Sequence, residues 1–150
     1  MALYYLETSA LVKLYVREPG TDQLLRLTRR EHDHRFAVLA ITPVEFRSAI
    51  RRRQRMGDFS PLAAGELIGR LTQHLDVKFL CQAINDAVLY TAAGLIDRHP
   101  LRAYDAIQLA GCLVLATSAG KEKPVFVCAD IELLRAAESE RLPSLNPTIP

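Results

Sequence analysis

The chain opens with Ala2-Leu3-Tyr4-Tyr5-Leu6-Glu7, a short apolar run that ends in a carboxylate. The run predicts a strand over residues 2–6, because short apolar segments bounded by polar residues are typical of buried strands. Thr8 or Ser9 can cap a helix, so a helix is predicted to follow directly. Glu7 would then lie at a strand-to-helix junction.

Three more acids stand at comparable junctions. Glu45 follows the apolar run 36–41 and the helix-start pair Thr42-Pro43, in which Thr42 is the predicted cap. Asp105 opens an apolar helix, and Asp130 follows the run 125–128 and is predicted to cap the next helix. The carboxyl ends of parallel strands meet at one edge of a sheet, where ligands bind in open α/β folds. The four acids therefore predict one acidic pocket, whose repulsion a cation would compensate.

Strand-like and helix-like segments alternate along the chain, which predicts an α/β fold of three layers, α/β/α. Its central sheet is expected to be mainly parallel, with four strands at 2–6, 36–41, 77–80 and 125–128, or five if the chain adds an edge strand near 145–149. The expected helices are one that ends before Pro19-Gly20 and others near 21–30, 43–57, 60–74, 84–98, 102–118 and 130–141, with a polar turn over 31–35. A length of 150 residues predicts a single domain, 1–150.

The composition is that of an ordinary globular protein, with 49% apolar and 24% charged residues and a net charge of +2. No apolar run approaches the roughly 20 residues needed to span a bilayer. The start of the chain lacks the features of a signal peptide, so a cytoplasmic location without a membrane partner is expected. Three cysteines without a C-x-x-C pair indicate reduced thiols, not a disulfide frame or a zinc site.

Acids also favour helix starts for purely structural reasons, because the backbone N–H groups and the helix dipole stabilise them. Asp105 argues against that explanation, since its helical neighbours at i+4 and i+7 are Leu109 and Cys112, an apolar stripe. Acidic side chains are rarely buried unless they are paired or bind a ligand. Glu45 has Ser48 and Ala49 beside it, which leave room for a ligand.

Carboxylate oxygens suit Mg²⁺ or Mn²⁺ better than zinc. Such an ion lowers the pKa of a bound water and neutralises charge on a phosphate during hydrolysis. The pattern therefore points to metal-dependent cleavage of phosphodiesters, with one ion or two.

Four motifs in order resemble the PIN-domain family, and especially its VapC-type toxins. They are Tyr5-Leu6-Glu7-Thr8-Ser9-Ala10-Leu11-Val12-Lys13-Leu14-Tyr15, Thr42-Pro43-Val44-Glu45-Phe46, the run from Leu101 to Ala110 around Asp105, and Val127-Cys128-Ala129-Asp130 with Leu133-Leu134 and Ala137. The resemblance spans essentially the whole chain. It implies a PIN-like fold, a metal-dependent endoribonuclease that cuts single-stranded RNA, a homodimer, and a small antitoxin that wraps the toxin and plugs the acidic pocket. It assigns metal binding and catalysis to Glu7, Glu45, Asp105 and Asp130.

Two residues depart from the family pattern. The first acid is almost always Asp in that family, and here it is Glu7, whose extra methylene moves the carboxylate by about one C–C bond. Mg²⁺ demands near-octahedral geometry, so Glu7 is expected to weaken metal binding, to shift the preference toward Mn²⁺ or to abolish turnover. A reshaped pocket, or binding of the ion through a water, would instead let Glu7 be tolerated. An alternative function follows: a catalytically attenuated module that binds RNA or an antitoxin. Cys128 stands where the family often has a hydroxyl residue.

Positive charge is concentrated in Arg47, Arg51, Arg52, Arg53 and Arg55. Arg51 and Arg52 are candidates for binding the RNA backbone, although a solvated helix face explains them equally well. Ser9 is expected to cap the helix or to orient Glu7, because no histidine is placed to activate it as a nucleophile. A phosphoryl transfer enzyme using an aspartyl-phosphate fits less well, since it needs Asp at the position of Glu7.

Overall fold

A parallel sheet forms the centre of the molecule. In the computed structural model, which describes residues 1–30 and 33–150, the strands are β1 (Ala2–Leu6), β2 (His34–Leu39), β3 (Leu80–Gln82), β4 (Val125–Val127) and β5 (Ser144–Leu145). They form one sheet in the order β3-β2-β1-β4-β5, and every neighbouring pair is parallel. The predicted α/β class is confirmed, with five strands and a wholly parallel sheet.

Helices connect the strands and cover both faces of the sheet. Within the same residues they are α1 (Thr8–Val12), α2 (Thr21–Thr28), α3 (Thr42–Arg55), α4 (Pro61–Lys78), α5 (Asp86–Arg98), α6 (Ala103–Ser118) and α7 (Ile131–Ser139). Successive side chains of a strand point to opposite faces. Leu3 and Tyr5 of β1 accordingly pack in a core with α5, α6 and α7, whereas Leu6 packs in a second core with α1, α2, α3 and α4. The three-layer arrangement is the predicted one.

Three strands lie away from their predicted positions. One is β5, which covers Ser144–Leu145, whereas the edge strand is predicted near 145–149. The segment 77–80 was expected to be a strand, but α4 continues through Lys78 and leaves Val77 82% exposed on its outer side. The pairing with β2 starts only at Leu80, where the register joins Cys81 to Val38. Strand β2 ends at Leu39 and not at residue 41, because the Ile41 carbonyl already accepts bonds from the first turn of α3.

The turn expected over 31–35 is only partly testable. Glu31 and His32 lie outside the described residues, and His34 and Arg35 belong to β2. The first helix is also much shorter than expected, since α1 ends at Val12. The hydroxyl of Thr21 donates to the Lys13 carbonyl at 2.8 Å. The N–H groups of Leu14 and Tyr15 make bonds of the i to i+3 type, and that of Val16 makes one i to i+4 bond to the Val12 carbonyl. No helix in the described part of the chain is long and apolar enough to cross a membrane.

Candidate active site

The four predicted acids lie at the carboxyl-end edge of the sheet, on the elements that follow the strands. Glu7 comes directly after β1, and its backbone N–H donates to the Val127 carbonyl at the end of the neighbouring β4 at 3.1 Å. Asp130 precedes α7, and Glu45 and Asp105 lie in the first turns of α3 and α6. The strands β1, β2 and β3 follow one another toward one edge of the sheet, and the connection from β3 to β4 then returns to the other side of β1. β1 and β4 therefore flank the topological switch point, at which such folds bind ligands.

Glu7 is the most buried of these acids, with 7% of its surface exposed. Its Oε2 accepts hydrogen bonds from the Ser9 N–H, at 2.9 Å, and from the Ser9 hydroxyl. Glu7 is therefore the N-cap of α1, where Thr8 or Ser9 had been expected. Burial raises the pKa of the Glu7 carboxyl, the Ser9 bonds oppose that rise, and the negative charge of Glu45 adds to it.

Ser9 connects the ends of the two central strands. Its hydroxyl donates to Glu7 and accepts from the Ala129 N–H at 3.2 Å, just after β4. The Cys128 sulfur lies 3.9 Å from the same hydroxyl and accepts from the Asp130 N–H at 3.3 Å. Cys128 thus takes part in the polar contacts at this edge, although it lacks a hydroxyl.

Glu45 is half-buried and is held by two donors on other elements. Its Oε1 accepts from the Thr8 hydroxyl at 3.0 Å and from the Gln108 side-chain amide at 2.6 Å. Thr42 was expected to cap α3, but the cap position belongs to Ile41, and the Thr42 hydroxyl instead accepts from the Gln108 amide at 3.0 Å. These contacts connect α1, α3 and α6 behind the carboxylate.

Gln108 is a site residue that the sequence alone does not single out. It is 1% exposed and lies on α6, one turn after Asp105. The only hint in the sequence is an amide within the otherwise apolar run 106–110. A buried amide needs hydrogen-bond partners, so that hint could have marked it as part of a polar network.

Asp105 and Asp130 form the second pair of like charges. Asp105 is half-buried, and burial raises the pKa of its carboxyl, with a further increase from the charge of Asp130. The apolar stripe predicted beside Asp105 is present, since Leu109 and Cys112 are fully buried. Asp130 is exposed and caps α7 as predicted, with Oδ1 accepting from the N–H groups of Glu132 and Leu133 at 2.9 and 3.2 Å.

The donor set suits a hard divalent cation, because all four acids offer carboxylate oxygens. Within each pair one carboxylate raises the pKa of the other, and a bound cation would relieve that repulsion. In residues 1–30 and 33–150, no three His, Cys, Asp or Glu side chains are grouped closely enough to hold a metal ion. Mg²⁺ commonly binds through one or two carboxylates and completes its shell with water and substrate phosphate, which these pairs permit.

The two candidate arginines differ in their surroundings. Arg52 is exposed and follows Glu45 by seven residues on α3, which places it on the same helix face about 10.5 Å farther along the axis. Arg51 is half-buried and donates to Gln54 at 2.8 Å. Their neighbour Arg53 is paired with Asp58 and Glu18.

A groove of about 870 Å³ lies elsewhere on the molecule, at the start of β2 and the end of α4. Tyr15 and His74 meet on its wall, where the tyrosine hydroxyl and the histidine Nδ1 are 2.8 Å apart. The charged residues that line it are mainly basic, namely Arg29, Arg35, Arg70, Lys78 and Asp76, and His34 lines it as well. None of the four site acids lines this groove.

Residues 4–138 match the PIN domain family. Ribonuclease VapC46 of Mycobacterium tuberculosis (strain ATCC 25618 / H37Rv) is 36% identical to this chain over 121 residues, which are 81% of this chain and 82% of that protein.

Solved structures of similar fold include VapBC2 from Rickettsia felis bound to a DNA fragment from their promoter, with a TM-score of 0.68 and 12% identity over 96% of this chain and 98% of that chain. A toxin-antitoxin complex from Klebsiella pneumoniae has a TM-score of 0.65 and 14% identity over 96% and 97% of the two chains. At such identities these two likenesses concern the fold alone.

Proposed function

This chain belongs to the PIN-domain family and is a homologue of the VapC ribonucleases, and from that membership we propose that it is the toxin of a toxin–antitoxin pair, an endoribonuclease that hydrolyses RNA phosphodiester bonds with Mg²⁺ or Mn²⁺. The observation that carries the metal requirement is the buried Glu7 carboxylate beside Glu45. Two like charges in a desolvated setting are costly unless a cation shares them.

Each acid has a distinct part in the proposed reaction. Glu7, Asp105 and Asp130 would hold the ion, which requires their side chains to draw closer together than they lie in this structure. Glu45 would either complete the ligands of the ion or accept the proton of the attacking water. Ser9 orients Glu7 by donating its hydroxyl to Oε2. The ion, when bound, lowers the pKa of a coordinated water and offsets charge on the phosphate.

The proposed partners are an RNA substrate, a small antitoxin and a second copy of the chain. Support for the antitoxin comes from the fold likeness to toxin–antitoxin complexes. The homodimer rests on the family resemblance and is tested by sedimentation velocity, where a monomer at micromolar concentration would exclude it. A cytoplasmic location remains part of the proposal.

A second candidate function is an attenuated module that binds RNA or an antitoxin without cutting RNA. The observation that favours it is the position of Glu7, whose carboxylate is bound by Ser9 and caps α1. A carboxylate committed to capping has less freedom to satisfy the strict geometry of Mg²⁺.

The deciding experiment is cleavage of a mixed pool of tRNA and rRNA fragments with Mg²⁺, with Mn²⁺ and with excess chelator. Wild type is compared with Asp105→Asn and with Asp97→Asn, a matched loss of charge on the exposed face of α5. We expect wild type and Asp97→Asn to cut RNA only with metal, and Asp105→Asn to lose at least about a hundredfold in rate. Cleavage that survives both the chelator and Asp105→Asn would refute the proposed function.

A further inference from the structure

The polar contacts behind Glu45 converge on a residue outside the acidic set. We infer that Gln108 is a positioning residue, which acts by holding the Glu45 carboxylate in its working orientation. The inference rests on the proposed function, since it gives Gln108 a task only if Glu45 serves the metal site.

The side-chain amide of Gln108 is surrounded by acceptors from two other parts of the chain. Nε2 lies 2.6 Å from Glu45 Oε1, 3.0 Å from the Thr42 hydroxyl and 3.1 Å from the Thr8 hydroxyl. The shortest of these contacts is with the carboxylate, and hydrogen bonds to charged acceptors are shorter and worth more than those between neutral groups. The two N–H groups are thus aimed at the carboxylate and its neighbours.

Tyr5 anchors the backbone of Gln108. Its hydroxyl donates to the Gln108 backbone carbonyl at 2.8 Å and lies 3.3 Å from Oε1, so its one hydrogen is directed mainly at the backbone. The acceptors around Nε2 fix which way the side-chain amide points. The opposite orientation would set the amide oxygen against the Glu45 carboxylate, acceptor against acceptor. Since Tyr5 is fully buried in the core, this support is rigid.

Packing alone does not account for an amide at this position. Gln108 is 1% exposed between the apolar layers of α6 and the sheet, where a leucine or methionine would avoid the cost of burying an amide. A buried amide is favourable only when its partners satisfy it, and here those partners include the Glu45 carboxylate.

The arrangement also restricts how Glu45 works. Oε1 is occupied by the donors of Thr8 and Gln108, which leaves Oε2 for an ion or a proton. Glu45 would therefore act through one oxygen, in one orientation, without the entropy cost of fixing a free side chain at each turnover.

A double-mutant cycle tests this role. Electron paramagnetic resonance measures the affinity for Mn²⁺, and RNA cleavage assays measure kcat and KM. The variants are Gln108→Met, Glu45→Gln and the double variant. Gln108→Asn, which keeps an amide but is one methylene shorter, serves if Gln108→Met fails to fold. Gln73→Met, on the exposed face of α4, is the matched control.

We expect Gln108→Met to weaken Mn²⁺ affinity or kcat about tenfold, as loss of a partner behind a metal ligand typically does, with KM unchanged. In the Glu45→Gln background the same change should have almost no effect, because Gln108 acts through Glu45. Equal losses in both backgrounds, or no loss in either, would overturn the inference.

The outcomes separate the inference from the proposed function. If wild type binds Mn²⁺ but cuts no RNA, the proposed function fails, and the affinity cycle alone still decides the role of Gln108. A wild type that neither binds Mn²⁺ nor cuts RNA overturns both.

Discussion

The carboxylate of Glu7 is bound by both donors of Ser9, the backbone N–H and the hydroxyl, two residues farther along the chain. The first acid of the site is therefore also the cap of α1, so the local fold and the candidate chemistry depend on one side chain. Ser9 extends the connection to β4 through the Ala129 N–H. Any change at Glu7 acts on the helix start and on the site together.

Glu7→Asp is expected to raise metal-dependent cleavage about tenfold over wild type, because a shorter carboxylate has fewer torsions to fix around an ion. Asp is also among the best N-cap residues, so the bond from the Ser9 N–H should persist and the thermal midpoint should change little. Rates with Mg²⁺ and Mn²⁺ and a thermal melt measure both effects. Equal or slower cleavage by Glu7→Asp would show that the site is built for the longer side chain.

The arrangement of the fold is largely predictable from the sequence. Short apolar runs followed by caps locate β1 and β4, and the side chains of Ser60 and Asp130 cap α4 and α7 through local hydrogen bonds. Local signals of this kind act over three or four residues, so they can be read without tertiary structure. The same junctions bring Glu7 and Asp130 to one edge.

The features that could not be predicted depend on contacts between distant residues. The length of α1 depends on the Thr21 hydroxyl, which takes the Lys13 carbonyl out of the helix. The role of Gln108 depends on Thr8 and Glu45, which lie 100 and 63 residues away in the chain. No periodicity or capping rule encodes such pairings, because tertiary packing decides them.

His74 should make the stability of the protein dependent on pH. Burial, followed by the charges of Lys78 and Arg70, lowers the pKa of His74 from 6.5. The unfolded chain then binds the proton more tightly than the native state, so stability falls as pH drops below 6.5 through the lowered native pKa. Arg29, His34, Arg35 and Asp76 also line this groove.

Urea unfolding at pH 7 and pH 5 tests this effect. His74→Gln should lose less stability than wild type between the two values, because the other titrating groups are common to both proteins. An identical pH dependence in the two proteins would mean that His74 titrates alike in the native and unfolded chains.

Gly111 marks the closest approach of α6 to the sheet. A Cβ at this position would lie 2.5 Å from Leu39 Cδ1 and 2.6 Å from the Tyr5 hydroxyl oxygen. Both neighbours are fully buried, so Gly111→Ala should destabilise the protein by about 1–3 kcal/mol. Gly69→Ala on α4, where a Cβ meets nothing within 4 Å, is the control and should stabilise by roughly 0.5–1 kcal/mol. Chemical denaturation that ranks the two variants in the opposite order would contradict the packing.

Of the two candidate arginines, Arg52 is the better placed to follow an RNA backbone that enters the site, because it is exposed on the helix face of Glu45. Binding of a labelled single-stranded RNA is measured by fluorescence anisotropy over a range of salt, in the Asp105→Asn background so that the RNA stays intact. Arg52→Gln should weaken binding and lower the slope of log Kd against log salt by about 0.7, the value for one phosphate contact on a single strand. Arg51→Gln should leave the slope unchanged, since that side chain is half-buried and bonded to Gln54.

Arg53→Gln is the control for a guanidinium that is already paired with acids, and it should reduce thermal stability without changing the slope. Equal slopes for wild type and Arg52→Gln would assign Arg52 to the solvated helix face.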